Sequence, residues 1–248
     1  MSTSLQNGSQ HSTGSVDVDR RGDVVTVTLN RPDMGNTLSA EMFAAFGATL
    51  ERESASDAKV LVLRAEGKEF CNGRDRAASD LAGMRAEATR LIDLKRALRA
   101  SPLITIARVH GAAAGFGMGL AMLCDFAIVA DDAPLSFPEM RMGLPPAAIM
   151  AYLTDYALPK AAFPLVLFGE TFSAAHARDV GLISEAVPLS ILDATVAALI
   201  ARITPIPAAS LRACKELFGT MLQGSFDSNC RLAADALAVA SATLLKKL

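Results

Sequence analysis

Tryptophan is absent from the 248 residues, tyrosine occurs twice, and aromatic side chains make up 5% of the chain. Few stacking platforms for bases or sugars are therefore available. Charge of one sign is lacking too: 24 Lys and Arg stand against 26 Asp and Glu, a formal net charge of −2. No broad basic footprint exists, and nucleic acid is not an expected partner. Cysteine is scarce. Cys71, Cys124, Cys214 and Cys230 form no CxxC pair, and His11, His110 and His176 lie near none of them at ligand spacing. No metal site or thioredoxin-type motif is expected, and the cysteines read as buried free thiols of a reducing cytoplasm. The longest uncharged apolar run, 109–124, is shorter than the roughly 20 residues of a spanning helix and is broken by Gly111, Gly115, Gly117 and Gly119. No membrane segment is expected.

What is present is aliphatic. Hydrophobic residues make up 51% of the chain, ample for one sizeable core without a disulfide or metal staple. The opening MSTSLQNGSQHSTGS has no apolar stretch of the secretory kind and reads as a disordered tail over residues 1–15. Runs at 16–18 and 24–29 flank a Gly22 turn as a hairpin. Ser39 reads as the N-cap of a helix over 40–50 with Met42, Phe43, Phe46 and Leu50 on one face. A strand is expected over 59–64. An amphipathic helix follows over 81–98, with Lys95 among its polar positions. Further strands at 103–109 and 126–130 flank a glycine-rich turn and a helical stretch to Cys124. Strand, crossover and strand in repetition argue an α/β chain with a parallel-rich sheet. After Pro145 the pattern turns helical, at 147–158, 161–168, 174–180, 189–203, 208–218 and 226–245, with one strand at 182–187.

Three segments put glycines and backbone amides where chemistry could use them. Gly67-Lys68-Glu69-Phe70-Cys71-Asn72-Gly73-Arg74-Asp75 follows a strand, and His110-Gly111-Ala112-Ala113-Ala114-Gly115-Phe116-Gly117-Met118-Gly119 joins a strand to a helix. Glycine admits positive φ and close approach of a ligand, and a helix N-terminus offers unpaired N–H groups. One amide from each segment could form an oxyanion hole. The third segment, 136–144, carries Glu139 in otherwise apolar surroundings that include Phe137, Met140 and Met142, where desolvation would raise its pKa. The chain has no GxGxxG, no GxxxxGK[ST] and no GxSxG, so nucleotide-binding and triad-hydrolase readings find no anchor.

In order and spacing, VVTVTLNRPDMGNTLS (24–39), GKEFCNGRD (67–75), HGAAAGFGMGLAMLCDFAIV (110–129), FPEMRMGLPP (137–146) and GETFSAAHARDVGLISEAV (169–187) resemble the crotonase (enoyl-CoA hydratase/isomerase) superfamily. The resemblance implies an α/β crotonase/ClpP-like spiral of repeated ββα units, with two roughly perpendicular sheets over 16–188. It also implies a helical C-terminal trimerisation part over 189–248, and trimers that often pair into hexamers. The implied substrate is an acyl-CoA thioester, with no separate cofactor. Its carbonyl oxygen would sit between the backbone N–H groups of Arg74 and Phe116, each following a glycine, Gly73 and Gly115. Asn72, Gly73, Asp75 and Arg76 resemble the part that meets CoA, and Arg31, Arg74 or Arg76 could reach its phosphates. Asp125 and Asp75 match positions that are usually structural.

Two departures from the family pattern stand out. Family hydratases carry two glutamates, and while Glu139 matches the second, Gly119 stands where the first belongs. Hydration uses two carboxylates, whereas one suffices to carry a proton from C2 to C4 of an enoyl-CoA. An isomerase is the favoured expectation. The alternatives are a hydratase using Glu139 and a water network, or a non-catalytic acyl-CoA-binding paralogue. The chain also ends early, at Leu248 after Lys246 and Lys247, which read either as stand-ins for the usual basic CoA contacts or as a solvated terminus.

Overall fold

The computed structural model describes residues 15–245, so residues 1–14 of the expected tail, Lys246 and Lys247 lie outside the described residues. Ser15, placed in the tail by composition, instead opens a strand. β1 (Ser15–Arg21) and β2 (Val24–Asn30) pair antiparallel across Gly22, whose φ of 58° suits a residue without Cβ. Along β2, Val25, Val27 and Leu29 are fully buried and alternate with half-exposed positions, the period of a strand with one face on the core. The helix α1 (Ala40–Ser54) follows. Ser39 caps it by accepting the Met42 N–H at 3.3 Å, and Met42, Phe46 and Leu50 are buried along its inner face. It carries the chain to β3 (Val60–Ala65), parallel to β2.

The second crossover is α2 (Leu81–Ala100), capped by the Asp80 carboxylate on the Gly83 N–H at 2.7 Å. It leads to β4 (Ile104–Val109), parallel to β3. After the two-residue β5 (Ala113–Ala114) comes α3 (Phe116–Leu123), buried on every side, and then β6 (Phe126–Ala130), parallel to β4. Next are β7 (Leu135–Ser136), the single turn α4 (Ala147–Met150), α5 (Pro159–Phe168), β8 (Thr171–Phe172), α6 (Ala174–Asp179) and β9 (Glu185–Val187). The large sheet has the order β1-β2-β3-β4-β6-β9, and a small second sheet runs β5-β7-β8. The chain ends with α7 (Leu189–Ile203), α8 (Ala208–Met221) and α9 (Phe226–Leu245).

The helix expected over 147–158 breaks into α4 and a 3-10 turn at Leu153–Asp155. Tyr152 leaves the helical region at φ −144° and ψ 2°, and Pro159 forces Leu158 to the extended ψ of 142°. The break turns Tyr152 inward, where it is buried. The apolar stripe of α7 is mostly internal: Leu192 and Val196 are buried, and Leu199 and Ile200 pack against the core beside β6 and β4. Exposed apolar side chains gather further on, at Phe218, Leu222, Phe226, Leu237 and Val239 of the last two helices and their junction. Lys215 ties α8 to the sheet, donating to Asp125 at 2.6 Å and to the Leu103 carbonyl at 2.7 Å, while Asp125 also accepts the Thr105 N–H. Asp125 is structural, as expected. No single helix among the described residues is long and apolar enough to cross a membrane.

One buried side chain fastens the strand β2 exit to the segment before the first glycine-rich loop. Asn36, fully buried with φ +54°, accepts the Arg31 N–H at 2.8 Å and donates to the Glu66 and Glu69 carbonyls, both at 2.7 Å. Asn36→Ala should lower unfolding stability by about 1–3 kcal/mol, because one buried and two part-buried hydrogen bonds to the backbone are lost at once. Urea denaturation of the two proteins measures the difference.

Candidate active site

The two glycine-rich segments lie against each other because their backbones touch. A Cβ at Gly111 would strike the Lys68 carbonyl, and one at Gly117 would strike the Cys71 carbonyl. In that contact the Phe70 and Cys71 N–H groups donate to the Ala112 carbonyl at 2.9 and 3.1 Å, and Ala114 N–H donates to Cys71 at 2.9 Å. Cys71 thus forms a parallel bridge to Ala113 of β5. Further along, Leu38 N–H donates to the Gly73 carbonyl at 3.1 Å and Asp75 N–H donates to the Leu38 carbonyl at 2.9 Å. This parallel bridge between Leu38 and Arg74 points the Arg74 N–H away from Leu38. Gly73 reaches φ 134° to make the turn.

Gly115, at φ 51°, starts α3. The first bond inside that helix is Gly119 N–H to the Gly115 carbonyl at 3.0 Å, so Phe116, Gly117 and Met118 present orphan N–H groups at the positive end of the helix. Among the described residues, no hydrogen bond engages the N–H of Arg74 or of Phe116.

Glu139 stands on the 3-10 turn Pro138–Met142 between β7 and α4. A Cβ on Gly115 would come within 2.7 Å of its Oε1, so the missing side chain makes the room the carboxylate uses. Its Oε2 is buried with no hydrogen-bond partner. Burial raises its pKa above the ordinary carboxylate value, opposed by the charges of Lys95 and Arg76. Phe137 is fully buried beside it, but Met140 and Met142 are exposed. Those methionines point to solvent and do not supply the expected apolar wall.

The expected CoA contacts separate into committed and uncommitted groups. Arg31 is a correction: its guanidinium is buried, donates to Asp75 at 2.7 Å and to the Thr37 carbonyl at 3.1 Å, and is not available for a phosphate. Asp75 is its partner and is likewise structural. The Arg74 side chain pairs with Glu87 at 3.2 Å, and Glu87 also accepts the Ala77 and Ala78 N–H groups. Arg74, Asp75 and Glu87 line a small cavity of about 190 Å³ with Ser39 and Phe43. Asn72 and Arg76 are exposed, and Arg76 makes no ion pair among the described residues. A larger cavity of about 740 Å³, between the end of α2 and α8, does not include Glu139.

Gly119 lies one turn beyond Gly115. A Cβ there would meet Tyr152 Oη at 2.6 Å, Ile149 Cδ1 at 2.7 Å and Lys95 Nζ at 2.8 Å. Lys95, grouped by sequence with the polar face of α2, is buried, and its Nζ donates to Tyr152 Oη at 2.5 Å. Tyr152 in turn donates to the Gly119 carbonyl at 3.4 Å. The ammonium lies 5.4 Å from the Phe116 ring centroid and 4.8 Å from that of Tyr152. Burial lowers the Lys95 pKa to about 7, with Glu139 pulling the other way. Sequence held one signal for it: Lys95 is four residues after Leu91 and three before Leu98, on the buried stripe.

With this geometry in place, comparison with known proteins decides the family. A model of the family "Enoyl-CoA hydratase/isomerase" matches residues 19–239. The chain belongs to that family. A Rhodobacter capsulatus protein named "Probable enoyl-CoA hydratase" is 32% identical over 85% of this chain and 83% of its own length. The solved enoyl-CoA hydratase of Mycobacterium smegmatis superposes with a TM-score of 0.88 at 32% identity, covering 91% of this chain and 90% of that one. A Thermobifida fusca protein, named for the same activity and solved in complex with CoA, gives 0.84 at 28% identity over 94% and 95%. The fold is the crotonase fold, and the chain is an enzyme of the enoyl-CoA hydratase/isomerase family.

Burying Lys95 has a consequence for stability. Its folded pKa of about 7 lies below the ordinary 10.5. Between those values the unfolded chain holds more protons at this residue, so stability must rise with pH across that window. The groups facing Lys95 are Glu139 and Tyr152. Urea midpoints from pH 7 to 10 should climb more steeply for the wild type than for Lys95→Met. Parallel curves would mean that the ammonium is not desolvated.

Proposed function

We propose that the protein shifts the double bond of an enoyl-CoA, with Glu139 taking the C2 proton and the N–H groups of Arg74 and Phe116 holding the thioester oxygen. The observation that carries this reading is at Gly119. No carboxylate stands there, and the room its side chain would need is occupied by Tyr152, Ile149 and Lys95. Glu139, the matching glutamate that remains, lies against Gly115 at the start of α3, with an unpartnered buried oxygen.

The steps follow from those groups. The thioester carbonyl accepts the two amide N–H groups, and withdrawal of electrons toward it acidifies C2. Glu139 accepts that proton, leaving a dienolate whose oxygen charge the two donors stabilise; one such donor is worth about 2.7–4 kcal/mol of barrier. Its raised pKa makes Glu139 a stronger base than an ordinary carboxylate, suited to accepting the proton. Asn72, Gly73 and Arg76 adjoin Arg74 in sequence and are the proposed CoA contacts, Arg76 being an exposed cation without an ion pair among the described residues. No cofactor beyond the substrate's own CoA enters the reaction. Cytoplasmic residence and a trimer, single or doubled, complete the proposal. The exposed Phe218, Leu222, Phe226, Leu237 and Val239 supply apolar surface for self-association.

Glu139→Gln removes the base and keeps the shape, so turnover of 3-enoyl-CoA esters should fall by about 10²-fold or more while CoA-ester binding persists. A Gln variant running near the wild-type rate would end the assignment. Light scattering at micromolar concentration should give three or six times the monomer mass, and a monomer there would contradict the assembly.

A further inference from the structure

We propose that Lys95 is a second catalytic residue, the acid that delivers the proton to C4, so that double-bond migration is divided between a carboxylate and an ammonium. This rests on the isomerase reading above and assigns one of its two proton transfers to a different group.

The geometry begins with α3. Gly115 and Gly119 are four residues apart and share one face of the helix, about 6 Å apart along its axis. The missing Cβ of the first lies against Glu139 Oε1 and that of the second against Lys95 Nζ. One helix face therefore carries a carboxylate and an amine in succession, starting from the orphan N–H of Phe116. Tyr152 and Ile149 close over Gly119 beside Lys95, so an acyl chain held at that N–H meets Glu139 first and reaches Lys95 beyond it only as those side chains turn aside. Both groups have unused bonding capacity. Glu139 Oε2 is buried without a partner, and Lys95 has three donors but spends one hydrogen bond, on Tyr152.

Burial supports the assignment. A lysine inside a protein is normally neutralised by a carboxylate, yet Lys95 makes no ion pair among the described residues. Its contacts are a phenol and two aromatic rings. Desolvation brings its pKa to about 7, where an amine can both give and regain a proton. Tyr152 accepts from the amine and donates its O–H to the Gly119 carbonyl, so it orients Lys95 without carrying the step.

The step balances. The C2–H bond breaks and Glu139 gains the proton as the electron pair moves into the dienolate. The C2=C3 bond then forms as the C3=C4 electrons take a proton from the Lys95 ammonium at C4. Glu139 is left protonated and Lys95 neutral, and one proton passed between them through water resets the site. No oxidant or co-reactant is needed.

Two measurements in D₂O separate this from the carboxylate's own part. Exchange at C2 of a saturated acyl-CoA reports Glu139 and the N–H pair alone. Conversion of a 3-enoyl-CoA reports both transfers, and mass spectrometry locates deuterium at C4. The wild type should exchange C2 and convert the ester with solvent deuterium at C4. Lys95→Met should lose conversion by about 10²-fold or more and lose far less of its C2 exchange, which Lys95 touches only through its charge on Glu139. Tyr152→Phe, which keeps the ring, should fall between the two proteins. A product whose C4 carries the hydrogen originally on C2, or a Lys95→Met enzyme converting within threefold of wild type, would overturn the role of Lys95 and leave the isomerase reading intact. Loss of exchange and conversion together in Lys95→Met would make Lys95 a structural residue and also overturn it. A wild type that exchanges C2 but moves no double bond would sink the isomerase reading, and this one with it.

Discussion

Everything at the site depends on two stretches of backbone approaching more closely than any side chain would permit. The 68–71 segment rests on Gly111 and Gly117, and a Cβ at either position would enter a carbonyl oxygen. That contact lets the Phe70, Cys71 and Ala114 N–H groups find acceptors across the gap. It also sets the start of α3 beside the turn that carries Arg74. Two free N–H groups from distant parts of the chain thus belong to segments held together by hydrogen bonds that neither of them makes. The large sheet serves this contact by holding β3 and β4 in register, since each glycine-rich segment leaves from the end of one of them.

Around that frame the electrostatics are unusual in having little compensation. Arg31, Arg74 and Asp125 each find an opposite charge within 3.2 Å. Glu139 and Lys95 do not, although they are the most deeply placed charges near α3. Desolvation therefore works on both, raising one pKa and lowering the other. A fold that neutralises its structural arginines but leaves these two groups underpaired has placed its electrostatic cost where acid–base chemistry would use it.

The hairpin, the first two crossovers and the boundaries of α7 were legible in the sequence because each has a strong period and a cap or turn residue at its edge. Asn72, Gly73, Gly115 and Glu139 were legible through collinear motifs, and the structure brings Gly115 and Glu139 into contact. Three things were not legible. The strands β5, β7 and β8 are two residues long and show no alternation. The inward turn of Tyr152 comes from a helix that breaks before Pro159, while its composition alone reads as continuous. Lys95 sits on an apolar stripe, but a single lysine there reads as a polar-face residue until the partner that buries it is known. Arg31 erred in the opposite direction: it looked available because Asp75 is forty-four residues away in sequence.

The donor pair has one further property. In the proposed mechanism Arg74 and Phe116 act through main-chain N–H groups, which releases their side chains from that duty. Arg74 spends its guanidinium on Glu87, and Phe116 lends its ring to Phe43 at 5.1 Å and to Lys95. In that mechanism anion stabilisation lies in the backbone, and the choice of reaction lies in side chains such as those at 95, 119, 139 and 152. The two can vary independently. A lineage can exchange one proton-handling group for another, retune where along the acyl chain it acts, and never dismantle the feature that makes a thioester α-proton acidic.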